Sequence, residues 1–228
     1  MPGPIGVYLE TGSKRTFACA VDWPGWSRSG KTPDDALAAL IASAGRFARV
    51  VRDAGVRGFE PPQAVARLQV VQRIEGGSGT DFGVPGSTPR ADRQDLDDHE
   101  LDRQMRLLKA SWTAFDRAAA AAKGVELRKG PRGGGRDLGK IVQHALEAEL
   151  AYVNQLGSRV PKLEATATAD AMARIRGLAL EVLARRARAE PLADPNRVSR
   201  TWLPRYFVRR SAWHALDHAW EIEDRAIT

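Results

Sequence analysis

Two patterns of apolar spacing divide the chain. In the first 75 or so residues apolar and polar positions alternate in short runs, the spacing of half-buried strands. Val7 to Glu10 and Thr16 to Val21 both alternate, with Gly12-Ser13 between them, which predicts a β-hairpin. Trp23-Pro24-Gly25-Trp26 then marks a turn flanked by aromatics. Thr32 is a good N-cap, Pro33 suits a first helical position, and Asp34 and Asp35 favour a positive helix end. A single helix is therefore expected from Pro33 to about Ala54, with Ala36, Leu37, Leu40, Ile41, Ala44, Phe47 and Val51 at helical spacing. Leu68 to Ile74 reads as a third strand, giving an α+β module of order β-β-α-β over residues 1–76.

Residues 77–94 are rich in Gly, Ser, Thr and Pro and have almost no apolar pattern, so they are expected to be a flexible linker. Over residues 95–228 the strand signals vanish and helical spacing takes over. The expected helices are Asp97–Ala122, Asp137–Leu156, Thr168–Ala189 and Pro204–Arg225, separated by Gly- and Pro-containing segments such as 130–135 and 191–195. Four helices of this length with short connections predict an all-α four-helix bundle.

Composition narrows the setting. Cys19 is the single cysteine, which rules out an intrachain disulfide framework and fits a reducing compartment. It sits inside an alternating apolar run, as a core residue would. No apolar stretch reaches the ~18–20 residues of a spanning helix, and the N-terminus lacks the pattern of a signal peptide, so a cytoplasmic protein with no membrane role is expected. The net charge of +7 could attract anions, but the basic residues are scattered among Asp and Glu. The one local cluster, Arg128 to Arg136, has no aromatics for base stacking, so no sequence-specific nucleic-acid binding is expected.

The candidate chemistry lies in the histidines. His214 and His218 are two of only four, and their i, i+4 spacing stacks them on one helix face, where two imidazoles can chelate one ion. Their stripe also carries Ser211, Asp217 and Glu221 and reads as a polar lip beside the core. His144, on a face with Ile141, Ala148 and Ala151, is a polar ring among small apolar neighbours and needs a partner. A backbone carbonyl would serve, and so would a metal completed by the other two rings. The fourth, His99, is expected on the surface. Asp217 and Glu221 are candidate catalytic groups, able to orient an imidazole or move a proton. Arg209 and Arg210 are candidates for holding an anionic cofactor or substrate.

The segment Arg205 to Asp224 and the order of the helices resemble the DinB/YfiT-like superfamily of metal-binding four-helix bundles. That resemblance, over roughly residues 95–227, implies a divalent transition metal, zinc or nickel, held by His144, His214 and His218. It also implies a low-molecular-weight thiol and a small-molecule substrate: the reaction of a thiol-dependent S-transferase or isomerase, or a hydrolase, in a protein that pairs as a homodimer. Phe17 to Leu37 resembles the HicB-like antitoxin domain, a module that docks a partner or covers a neighbour. On that resemblance the alternative is a non-catalytic binding or regulatory protein.

Overall fold

A computed structural model describes residues 3–129, 135–158, 168–190 and 201–227. The chain begins with a mixed four-stranded sheet: β1 (Ile5–Thr11), β2 (Thr16–Ala20), β3 (Ser27–Gly30) and β4 (Leu68–Glu75), in the order β3-β2-β1-β4. The hairpin forms as expected, with Val7 opposite Ala20 and Thr11 opposite Thr16. β4 returns parallel to β1. Helices α1 (Pro33–Ala42) and α2 (Ala44–Asp53) lie between β3 and β4, and a short α3 (Ser78–Phe82) follows. Four longer helices follow: α4 (Asp98–Ala121), α5 (Leu138–Leu156), α6 (Thr168–Ala187) and α7 (Pro204–Arg225).

Two features depart from the expected β-β-α-β order. β3 pairs antiparallel with β2 although Ser27-Arg28-Ser29-Gly30 has no apolar alternation. The single helix from Pro33 to Ala54 is broken at Ser43. There the side-chain hydroxyl donates to the Leu40 carbonyl at 2.7 Å and receives the Trp26 indole N–H at 3.0 Å. A serine hydroxyl that bonds back to a carbonyl in the preceding turn is a recognised cause of helix bending. The start of α1 follows its sequence signals: Thr32 and Asp35 form a reciprocal capping box and Pro33 opens the helix.

The expected helix bounds hold within two residues for α4 to α7. Asp97 and Asp137 cap α4 and α5 through their carboxylates, and Gly157, with φ of 109°, ends α5 in the left-handed conformation that glycine adopts without strain. The connection at 130–134 and the segment 191–200 lie outside the described residues.

The segment expected to be a flexible linker is anchored instead. The buried Glu10 carboxylate accepts from the Thr80 hydroxyl (2.6 Å) and from the backbone N–H groups of Gly86 (3.0 Å) and Ser87 (2.9 Å). Tyr206 of α7 donates to the Gly86 carbonyl at 2.9 Å. These partners satisfy backbone groups that a Gly-rich loop would otherwise leave to water.

α7 organises the molecule. It packs along α4 and touches α5 and α6. Its Trp213 packs on Tyr8, Phe17 and Cys19 on one face of the sheet, and one continuous core joins Val7, Leu9, Trp26 and Phe47 to Leu107, Ile141, Leu216 and Ile222. The Trp-Pro-Gly-Trp turn rests on this helix. Gly25 has φ of 93°, and a Cβ there would lie 3.0 Å from the Ala212 Cβ. Cys19 is a core residue: its thiol contacts the Ser27 hydroxyl at 2.8 Å, and burial pushes its pKa up to about 12. Among the described residues no helix is long and apolar enough to cross a membrane.

Candidate metal centre

His214 and His218 stack one turn apart on α7, with ring centroids 4.6 Å apart. α5 brings His144 across to them, 5.1 Å from each by centroids. The register of α5 is fixed by a guanidinium clamp. Arg176 of α6 grips both oxygens of Glu149, each at 2.9 Å, and reaches Asp116 of α4 at 2.7 Å. His144 lies on α5 five residues before Glu149.

The three rings could hold one metal ion. Each offers a ring nitrogen, and the three nitrogens lie within 4.8 Å of one another. The Nε2 atoms of His144 and His214 are 3.3 Å apart. Two nitrogens bound tetrahedrally to one ion at the usual metal–nitrogen length would be separated by about 3.3–3.4 Å. Burial favours the neutral rings that a metal requires. It pushes His214 well below its ordinary value, helped by the charge of His218, and lowers His144 as well.

Behind the triad, Glu221 accepts from His218 Nδ1 at 2.8 Å. That fixes the tautomer with Nε2 free as a ligand. Arg225 grips the other Glu221 oxygen and is itself held by the carbonyls of Arg128 (2.9 Å) and Arg136 (2.8 Å). The hydrogen bond to His218 is the main reason that Glu221 stays below the usual carboxylate range.

The remaining sequence candidates separate. Asp217 is not among the groups that converge with the triad and pairs with Arg28 at 3.1 Å, in an open cleft that Trp220, Arg46 and Glu221 also line. Arg209 cannot hold a cofactor. It is buried, and its nitrogens are taken by Asp92 and by the carbonyls of Ala20 and Val21. Its neighbour Arg210 lies one turn before His214 and stacks on Trp213 and Tyr152. His99 is exposed, as expected. The exposures of the triad are the reverse of the sequence picture: His214 and His218 are buried at 7% and 8%, while His144 is half-buried. α7 is covered by the sheet as well as by helices, so its polar stripe is no lip.

Sequence reasoning did not single out Tyr152. Its ring lies 5.6 Å from that of His214, and the signal was present, since it stands eight residues after His144 on the same helix face.

No protein-family model, curated protein or solved structure matches the chain.

Proposed function

We propose that the chain is a metal-dependent enzyme of the DinB/YfiT-like type, its C-terminal helices forming that superfamily's four-helix bundle. In this reading His144, His214 and His218 hold a divalent transition ion. The observation that carries it is the approach of the three ring nitrogens, from two helices, to within one coordination sphere. An all-imidazole donor set suits zinc, nickel, copper or iron far better than magnesium or calcium. Three protein ligands leave coordination positions open, the arrangement of catalytic sites.

Such an ion, when bound, would lower the pKa of a thiol or water and make it nucleophilic near neutral pH. The chain's own residues do the rest. Glu221 orients His218 and takes up positive charge that develops on its ring, and Arg225 keeps Glu221 ionised and in place. Arg210 offers a cation beside the triad for an anionic substrate or thiol. The HicB-like module covers α7 and stiffens the helix that carries two of the three ligands.

The test is metal content followed by activity. Purified full-length protein, stripped with a chelator and dialysed against zinc or nickel, should retain one ion per chain. Each of His144→Ala, His214→Ala and His218→Ala should lose it. The loaded protein should then transfer a low-molecular-weight thiol to an electrophile faster than the stripped protein. Equal metal retention by wild type and all three variants would remove the basis of this reading.

A further inference from the structure

Arg209 and Arg210 are neighbours in sequence with opposite fates. Every nitrogen of Arg209 has a carboxylate or carbonyl partner. Arg210 points roughly a quarter-turn away, as successive residues on a helix do. No carboxylate of the described chain pairs with it. Its guanidinium lies 4.6 Å from the Trp213 ring and 5.3 Å from the Tyr152 ring. One of its nitrogens, Nη1, is buried with no hydrogen-bond partner. The indole Nε1 of Trp213, a residue only 4% exposed, is buried and unpartnered too.

Two orphaned donors in side chains that touch one another are costly, because a buried N–H with no acceptor loses its water without replacement. Glu149, on the same helix as Tyr152, cannot supply the acceptor, since Arg176 holds both its oxygens. Tyr152 bridges Arg210 and the histidines, and a strip of rings continues from it on the side away from the triad. Tyr152 lies 5.0 Å from Trp202 and 5.6 Å from His214, and Trp202 lies 5.0 Å from Tyr206. Tyr152 and Trp202 are only half-buried, so the strip has an open side.

We infer that Arg210, with Trp213 and Tyr152, forms a subsite for the carboxylate of an aromatic acid, whose ring lies along Tyr152 toward the histidine triad. A planar guanidinium matches a carboxylate, and a stacked one loses little freedom on binding it. One cation with one neutral donor beside it matches a monoanion. A phosphate dianion would leave a charge uncompensated at a half-buried site. That this acid is the substrate rests on the function proposed above; the anion subsite itself does not need the metal.

The test uses benzoate and the full chain after chelator treatment, read by tryptophan fluorescence and by calorimetry. Benzoate should bind saturably. Benzyl alcohol and inorganic phosphate should bind at least about tenfold more weakly, the size of one lost charged hydrogen bond. Arg210→Gln should weaken benzoate by a similar factor, and Arg210→Lys by less. The absence of saturable benzoate binding, or equal binding by Arg210→Gln, overturns the inference. So does phosphate binding more tightly than benzoate. Should Arg210→Gln fail to fold, the benzoate and benzyl alcohol comparison on wild type still decides. Binding that appears only with added zinc and vanishes in His218→Ala would place the carboxylate on the ion, overturning the subsite and leaving the metal reading intact. Benzoate held through Arg210 by a protein that retains no metal would do the reverse.

Discussion

His218 and Glu221, one turn apart on α7, share a hydrogen bond of 2.8 Å between Nδ1 and Oε2. A ring so held has only Nε2 to offer to an ion. Carboxylate partners of this kind commonly change metal affinity by about 10–100-fold when removed. Glu221→Ala should therefore weaken zinc binding by roughly that factor while the far-ultraviolet dichroism stays unchanged. Glu221→Gln keeps an accepting oxygen and should lose less. A competition titration against a chromogenic chelator measures both, and an affinity unchanged in Glu221→Ala would show that the contact does not orient a ligand.

The triad's response to pH follows from burial. His144 and His214 both have folded-state values below the ordinary 6.5, with desolvation as the main cause. Protons therefore compete for these rings only at lower pH than they would for free imidazole. Metal affinity should stay nearly flat from about pH 8 to about 6.5 and fall below that. The stability of the metal-free protein has the same sign. A depressed value means the unfolded chain takes up the proton first, so stability is present above about 6.5 and is lost as pH falls through the folded value. Thermal melts of chelator-treated protein at about pH 7.5 and 5.5 check this. His214→Asn, which lacks the buried imidazole, should lose less on acidification than wild type.

Much of this arrangement was legible in the sequence, for local reasons. The i, i+4 spacing of His214 and His218, the caps at Thr32, Asp97 and Asp137, and the apolar periods of α4 to α7 all act within a few residues. What was not legible depends on distant partners. β3 is polar and becomes a strand because β2 offers it an edge. Ser43 breaks a helix because the Trp26 indole reaches it from 17 residues away. The segment 77–94 looks like a linker because its anchors, Glu10 and Arg209, lie far off in the chain. Arg209 and Arg210 were equivalent in sequence, and only the position of the sheet beside α7 decides which becomes structural and which faces the histidines.

The buried pair of Arg209 and Asp92 ties three parts of the chain together: α7, the end of β2 and the segment before α4. Asp92 is 1% exposed and its oxygens lie 2.7 to 3.2 Å from the guanidinium. Removing one partner leaves a buried charge uncompensated, which typically costs about 3–5 kcal/mol. Asp92→Ala should lower the urea midpoint accordingly and make 77–94 the first site of proteolytic cleavage, where wild type resists. A loss below about 1 kcal/mol, or an unchanged cleavage pattern, would show that the anchoring of this segment lies elsewhere.

Gly25 tests how tightly the N-terminal turn seats on the helix that carries the histidines. Its φ of 93° lies where an L side chain is strained, at a typical cost of about 1–2 kcal/mol. Space adds to the strain: a Cβ would meet the Ala212 Cβ at 3.0 Å and the Leu216 Cδ1 at 3.1 Å, both on the buried face of α7. Leu216 could turn aside, but the Ala212 Cβ can move only with the helix. Gly25→Ala should therefore destabilise by more than the backbone term alone, about 2–5 kcal/mol when overpacking is included. Ala212→Gly would restore room without restoring the backbone. The double variant should then recover part of the loss, a coupling that a double-mutant cycle reads directly. Additive effects of the two substitutions would mean that the turn does not rest on α7 at this point. A shift of zinc affinity in Gly25→Ala, measured alongside, would show that the pressure reaches His214, two residues after Ala212 on the same helix.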